Sequence, residues 1–175
     1  MHTPTPKGVG AFICYNELMN INTLISLKDL PSLRKKYAHK KIVLAGGGFD
    51  LIHPGHIKQL QWAKSLGDIL VVHITGDKRY FEKRNHKPIF TERERATTIG
   101  TMKPVDHVFT YNGRHYDKKI LDALAPDILV FNKEAYTDGV THALRDGAFK
   151  GKIKVSKFKK KHSSSSILSS RKNKP

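Results

Sequence analysis

An α/β layered domain built on a parallel sheet is the architecture this sequence predicts, and two observations lead there. Short apolar runs of strand length alternate with segments of helical period through the middle of the chain. The first run, Ile42-Val43-Leu44-Ala45, ends in the glycine-rich turn Gly46-Gly47-Gly48, and a helical segment then leads into a second run, Ile69 to Ile74. A strand, loop, helix, strand unit of this length requires a right-handed crossover between parallel strands. That places the glycine turn at the carboxyl end of the sheet, where such folds bind ligands.

Taken in order, Met1 to Leu18 shows no sustained periodicity, and residues 1–23 read as a poorly ordered leader. Ser26 followed by Asp29 resembles a capping box with Asp in place of Glu, opening a short helix over Lys28 to Tyr37. Lys41 to Ala45 is the first strand. The helix after His56 carries Ile57, Leu60, Ala63 and Leu66 at near-helical spacing and ends at Gly67, before the strand Ile69 to Ile74. The basic stretch around Lys83 shows no helical period, and a solvated loop is one reading of it. Thr91 to Met102 is a helix, Asp106 to Thr110 a strand, Tyr116 to Leu124 a helix and Asp127 to Phe131 a strand. Thr137 to Asp146 follows as helix and Lys152 to Val155 as the last strand, after which lysines and Ser163-Ser164-Ser165-Ser166 lead into a short terminal helix. The expected domain covers residues 24–168, with a basic tail over 169–175.

A chain of 175 residues suits one domain with a core of ordinary size. A hydrophobic content of 38% with the single cysteine Cys14 argues against a disulfide framework and points to a reducing compartment. The polar, proline-bearing start is unlike a signal peptide, and no apolar run approaches the roughly 20 residues that span a bilayer. The expectation is therefore a cytoplasmic protein with no membrane partner. The formal charge is +17, and Lys150 to Pro175 holds ten basic residues and no acidic one; Arg34, Lys35, Lys36, Lys40 and Lys41 form a second cluster. Such clusters fit weak polyanion binding, or else a solvated face with a cationic tail. Basic groups close to the glycine turn would also suit a triphosphate.

The chemistry concentrates in Gly46-Gly47-Gly48-Phe49-Asp50-Leu51-Ile52-His53-Pro54-Gly55-His56. A glycine turn between a strand and a helix gathers bare backbone N–H groups and the positive end of a helix dipole at one point, which favours an anion. His53 and His56 are three residues apart across the turn and the first helical residues. They can lie on one side and offer imidazole donors to the same phosphate.

Gly47-Gly48-Phe49-Asp50 and His53-Pro54-Gly55-His56 resemble the G-x-F-D and H-x-G-H signatures of the cytidylyltransferase-like nucleotidyltransferases, and the resemblance extends from about Leu24 to Leu168. Several further segments are similar to the adenylyltransferase domain of bacterial ADP-heptose synthases. They are Ile25 to Leu30, Ala63 to Asp68, Thr75-Gly76-Asp77, Val105 to Val108 and Ala125 to Val130. The resemblance implies a Rossmann-like parallel sheet with helices on both faces. It also implies a reaction in which a phosphate oxygen of the acceptor attacks the α-phosphorus of a nucleoside triphosphate in line and pyrophosphate leaves. Catalysis of that kind rests on positioning and charge neutralisation.

In this reading His53 and His56 donate to phosphate oxygens, and the nucleotide is bound around Gly47, Gly48, Phe49, Asp50, Gly55 and Asp77. Lys83 is the candidate for a cation that reaches the phosphates, with Arg84 and Lys87 as neighbours that could serve instead. Arg95 matches the arginine of the family's E-x-R element and would face the acceptor phosphate; the alternative is a helix-surface ion pair with Glu92 or Glu94. Ser163, Ser164, Ser165 and Ser166 align with the family's S-T-T-x-I element, whose hydroxyls and helix N-terminus hold the triphosphate. Mg2+ would bridge the phosphates of ATP or CTP and keep several waters, so no set of residues is assigned as a metal site. A homodimer also fits the resemblance.

The chain departs from the heptose enzymes after Val130, where Phe131-Asn132-Lys133-Glu134-Ala135-Tyr136 stands in place of their glycine-rich G-G-D-Y element. The choice of base and of acceptor is left open by that change. The leading expectation is transfer of AMP or CMP to a sugar phosphate such as heptose 1-phosphate. Glycerol-3-phosphate cytidylyltransferase and FAD synthetase are alternatives on the same fold. A basic nucleic-acid-binding module is the alternative of another class, although Phe158 is the lone aromatic in the final basic stretch, which is a poor stacking platform.

Overall fold

A computed structural model describes residues 23–114, 116–132 and 149–158. Five strands form one sheet: β1 (Ile42–Gly47), β2 (Ile69–Thr75), β3 (His107–Tyr111), β4 (Ile128–Asn132) and β5 (Lys152–Ser156). Their order is β3-β2-β1-β4-β5 and every neighbouring pair is parallel. The strands read as unbroken apolar runs because helices cover both faces. On one face α1 (Leu30–Lys36) and α5 (Lys118–Leu124) bury Leu33 and Ile120 with Leu44, Val71 and Leu129. On the other, α2 (Pro54–Lys64) and α4 (Glu92–Gly100) bury Leu60 and Ile99 with Val43, Val72 and Val130. Each aliphatic side chain so buried contributes about 1.5–3 kcal/mol before the cost of chain ordering. α3 (Asp77–Arg84) leaves β2 at the carboxyl rim.

The register is pinned by three aspartates that precede strands. Asp68 and Lys41 exchange bonds, the Lys41 N–H reaching the carboxylate at 2.7 Å and the Asp68 N–H reaching the Lys41 carbonyl at 2.9 Å. Asp106 does the same with Leu70, at 2.6 and 3.1 Å, and Asp127 with Ile42, at 2.8 and 2.9 Å. Each carboxylate thus satisfies an N–H that would otherwise begin a strand unpaired. The Lys41 N–H holds the Asp68 carboxyl below the usual carboxylate range.

Reading outward from β1, the strand order runs to β2 and β3 on one side and to β4 and β5 on the other. The connections after β1 and β4 therefore diverge and open a crevice at the carboxyl end, the usual ligand position of a doubly wound sheet.

Most element boundaries move by one or two residues from the sequence expectations. β1 runs on through Gly46 and Gly47, which pair with His73 and Ile74, so the turn proper starts at Gly48. α2 starts at Pro54, before His56, and buries Leu60 and Ala63 while Ile57 is exposed. The helix expected from Tyr116 starts at Lys118, because Asp117 caps it and Tyr116 has a positive φ of 57°. The stretch around Lys83 is helix α3 instead of loop, closed by Asn85 in the left-handed conformation. The leader, the helix expected over Thr137 to Asp146 and the terminal serine run lie outside the described residues.

His73, on β2, is fully buried, stacked on Phe109 at 5.3 Å, with Nε2 3.4 Å from the Tyr111 carbonyl oxygen. Burial pushes its pKa down from 6.5 to about 4, against small opposing contributions from the Tyr111 carbonyl and the Asp117 carboxylate. The folded state then binds fewer protons than the unfolded one between those values, so stability is full above pH 6.5 and falls as the pH drops toward 4. The expected loss is about 3 kcal/mol. Burial also lowers the pKa of His107, which adds to the same slope. His73→Phe should flatten most of it in urea unfolding across that range. The Tyr111 carbonyl keeps a partner in the variant, since it also accepts from the Gly76 N–H at 2.9 Å. An unchanged slope would refute the assignment.

Candidate active site

The first turn of α2 assembles the histidines. Pro54 sits at the first helical position, where its fixed φ suits the helix and its missing N–H leaves nothing unsatisfied. His53 takes the N-cap in place of the usual hydroxyl or carboxylate residue: its Nδ1 accepts from the Gly55 N–H at 3.1 Å. That bond needs a lone pair on Nδ1 and so puts the neutral ring's proton on Nε2, which makes Nε2 a donor. The His56 N–H donates to the His53 carbonyl at 2.9 Å, and the two imidazoles stack with centroids 3.9 Å apart and 29° between planes. His53 is 8% exposed. The two rings thus lie side by side at a helix N-terminus, a position that favours an anion.

A Cβ at Gly55 would lie 2.9 Å from both Cε1 and Nδ1 of His53. Gly55→Ala must therefore swing the imidazole off its cap, yet alanine is the better helix former and the site is exposed. The expected result is activity lower by about a hundredfold, the cost of a displacement near 1 Å, with unfolding stability unchanged or slightly higher. Equal activity of the two proteins would show that the His53 ring position does not matter.

Phe49 has φ of 50°, a left-handed conformation rare for a bulky residue and costing on the order of 1–3 kcal/mol. Its ring is buried and packs on His56 at 5.2 Å. Gly48 has no room for a side chain, since an added Cβ would lie 2.8 Å from the Tyr80 ring. Asp50 is buried. Its carboxylate accepts from the N–H groups of Ile89 at 2.8 Å and Phe90 at 3.1 Å, and from the Tyr80 hydroxyl at 3.3 Å. It anchors the segment before α4 to the glycine turn. Burial, with the Asp50 carboxylate adding to it, raises the Tyr80 pKa.

Arg95 lies beneath the turn, 1% exposed, instead of on the surface of α4. Its ion-pair partner is Asp77 at 2.6 Å, in place of Glu92 or Glu94. Its Nε donates to the Phe90 carbonyl at 2.9 Å, a terminal nitrogen donates to the Gly48 carbonyl, and the guanidinium stands 5.3 Å from the Tyr80 ring centroid. Asp77 begins α3 next to Gly76, and its own N–H donates to Glu92 at 2.7 Å. Lys83 and Arg84 occupy the last turn of α3, with the Arg84 guanidinium 6.0 Å from the Tyr80 ring, while Lys87 follows on the exposed segment.

The structure thus brings together Gly47, Gly48, Phe49, Asp50, His53, Gly55, His56, Asp77 and Arg95. It adds Tyr80 and Thr75, whose Oγ1 donates to the Gly47 carbonyl at 3.2 Å. Tyr80 carried no local sequence signal, and Thr75 entered only as the first residue of the Thr75-Gly76-Asp77 segment, with no role of its own. Among the described residues no group of three or more His, Cys, Asp or Glu side chains is arranged to hold a metal ion.

The sequence matches the model of a family described as cytidylyltransferase-like over residues 44–170. It is 35% identical over 130 residues to the bifunctional protein HldE of Citrifermentans bemidjiense, covering 74% of this chain and 26% of that protein. It is 42% identical over 96 residues to the bifunctional protein HldE of Helicobacter pylori, covering 54% and 20%. The chain spans about a quarter or less of the length of these curated relatives. Among solved structures, a lipopolysaccharide core biosynthesis protein from Thermoplasma volcanium superposes with a TM-score of 0.56 at 30% identity, covering 69% of this chain and 99% of that one. A pantoate-beta-alanine ligase from Francisella tularensis superposes with a TM-score of 0.58 at 15% identity, covering 85% and 76%, and shares the fold.

Proposed function

The chain belongs to the cytidylyltransferase-like family of nucleotidyltransferases, and from that premise we propose that it transfers AMP or CMP from ATP or CTP to a sugar phosphate such as heptose 1-phosphate, releasing pyrophosphate. The observation that carries the reading is the stacked His53 and His56 pair at the start of α2, directly beyond the glycine turn of β1. An acceptor phosphate oxygen forms the new bond to the α-phosphorus as the bond to the pyrophosphate oxygen breaks. The imidazole donors offset charge on the α-phosphate and the departing group. Pro54 and the His53 cap hold those donors in place before substrate arrives, so little reorganisation is needed at the moment of reaction.

Magnesium would be carried mainly by the triphosphate and water, since the described residues offer no carboxylate cage; when bound it would neutralise phosphate charge. Lys83, at the end of α3, is the proposed mobile cation, and Ser163 to Ser166 the proposed further triphosphate contacts. No described helix is long and apolar enough to cross a membrane; a cytoplasmic homodimer is the proposed setting. The likeness to the HldE proteins and to the lipopolysaccharide core biosynthesis protein supports a sugar-phosphate acceptor.

The test is pyrophosphate release with magnesium, crossing ATP and CTP with sugar 1-phosphates, glycerol 3-phosphate and flavin mononucleotide. Release that requires one triphosphate and one sugar phosphate supports the proposal. Turnover only with glycerol 3-phosphate or the flavin would replace the acceptor class, and silence with every pair would remove the sugar-phosphate reading.

A further inference from the structure

Two consecutive carbonyls of the glycine turn are drawn back into the protein by side chains from distant elements. The Gly47 carbonyl accepts from the Thr75 hydroxyl at the end of β2, and the Gly48 carbonyl accepts from Arg95 on α4. No cis peptide is present among the described residues, so in each unit the N–H points opposite to the C=O. The Gly48 N–H therefore points away from Thr75, and the Phe49 N–H away from Arg95. Neither N–H has a hydrogen-bond partner among the described residues. The positive φ of Phe49 is the backbone state that lets successive N–H groups converge into an anion-binding concavity.

We propose that Thr75 and Arg95 are positioning residues that set this pair of amides to receive a phosphate of the nucleotide or of pyrophosphate. The inference rests on the transfer reading above, and it gives a role of its own to Thr75, which the sequence offered only as part of the Thr75-Gly76-Asp77 segment. Thr75 is 3% exposed, so its hydroxyl acts on the turn and not on substrate. Without it the Gly47 peptide loses the bond that fixes its plane, and the Gly48 N–H can rotate off the site. Arg95 performs the same service one peptide later, and Asp77, Phe90 and Tyr80 hold its guanidinium still.

The experiment follows the backbone amide resonances of Gly48 and Phe49 in the full chain during titration with inorganic pyrophosphate, beside steady-state turnover with MgATP or MgCTP. In the wild type both amides should shift with pyrophosphate. Thr75→Val, nearly isosteric but without the hydroxyl, should abolish the Gly48 response and raise both the pyrophosphate Kd and the triphosphate KM about tenfold. Thr75→Ser, which restores the hydroxyl, should return both to within about twofold, a rescue that simple loss of packing would not give. Arg95→Lys, lacking the planar fork, should remove the Phe49 response. Wild-type affinity in Thr75→Val, equal damage in Thr75→Ser, or unshifted amides in the wild type would each overturn the proposal. Normal KM in Thr75→Val with an active wild type defeats the positioning role and leaves the transfer reading standing. Thr75-dependent amide shifts in a wild type that never releases pyrophosphate from a triphosphate do the reverse.

Discussion

His56→Ala is expected to lower turnover about a thousandfold, roughly 4 kcal/mol of transition-state stabilisation, while the melting temperature changes by a few degrees at most. The asymmetry follows from where the ring sits. His56 occupies the first turn of α2, partly exposed at the carboxyl rim, where its ring packs on His53 and on Phe49 at the edge of the core that holds Leu60, Val72 and Ile99. Alanine suits a helix, so removing the imidazole should take away the proposed phosphate donor at a small cost to the fold. Pyrophosphate release and thermal unfolding, measured on the same preparation, check the two halves. Turnover within a factor of ten of the wild type would end the proposed role for the pair.

The parts of the fold that could be read from sequence are those whose determinants are contiguous. β1, β2 and β4 are buried on both faces, so each is an apolar run bounded by polar residues. The histidine site lies within eleven residues, and its geometry follows from Pro54 and the N-cap at His53. Helix α3 escaped because Asp77-Lys78-Arg79-Tyr80-Phe81-Glu82-Lys83-Arg84 offers only two apolar residues and buries only Tyr80. It is held by that one ring against Gly48, by the bonds of Asp77 to Arg95 and Glu92, and by the Asn85 turn that ends it. Ile57 misled in the opposite sense: it has the spacing of a core residue, but it is exposed.

Side chains that act through distant backbone leave no such trace. Thr75 meets Gly47 across 28 residues, Asp50 meets Phe90 across 40 and Arg95 meets Gly48 across 47. For Arg95 the local pattern offers a phosphate contact or a helix-surface ion pair, because its neighbours Glu92, Arg93 and Glu94 are charged. What distinguishes it is the absence of solvent at that helix position, which only the packing of α4 on the sheet determines. Asp50 shows the same limit from the other side. Its place in a phosphate-binding motif suggests a nucleotide contact, and its carboxylate is instead engaged by three donors of the protein.

That packing makes Arg95→Met the substitution with the largest expected effect on stability, on the order of 3 kcal/mol. The guanidinium side chain is fully buried, and four groups depend on it: the Gly48 and Phe90 carbonyls, the Asp77 carboxylate and the face of Tyr80. Breaking one side of a buried pair typically costs about 3–5 kcal/mol because the remaining group is stranded. The lower end applies because Asp77 keeps 41% of its side chain exposed and can rehydrate, leaving the two carbonyls as the main loss. In thermal unfolding the shift should be on the order of 10 °C downward. Asp77→Asn separates the contributions: if the carbonyl contacts dominate, it should cost about 1 kcal/mol or less, since the amide can still accept from the guanidinium. A loss in Asp77→Asn equal to that in Arg95→Met would place the stabilisation in the ion pair instead, and would detach the fixing of the Gly48 carbonyl from the stability of the fold.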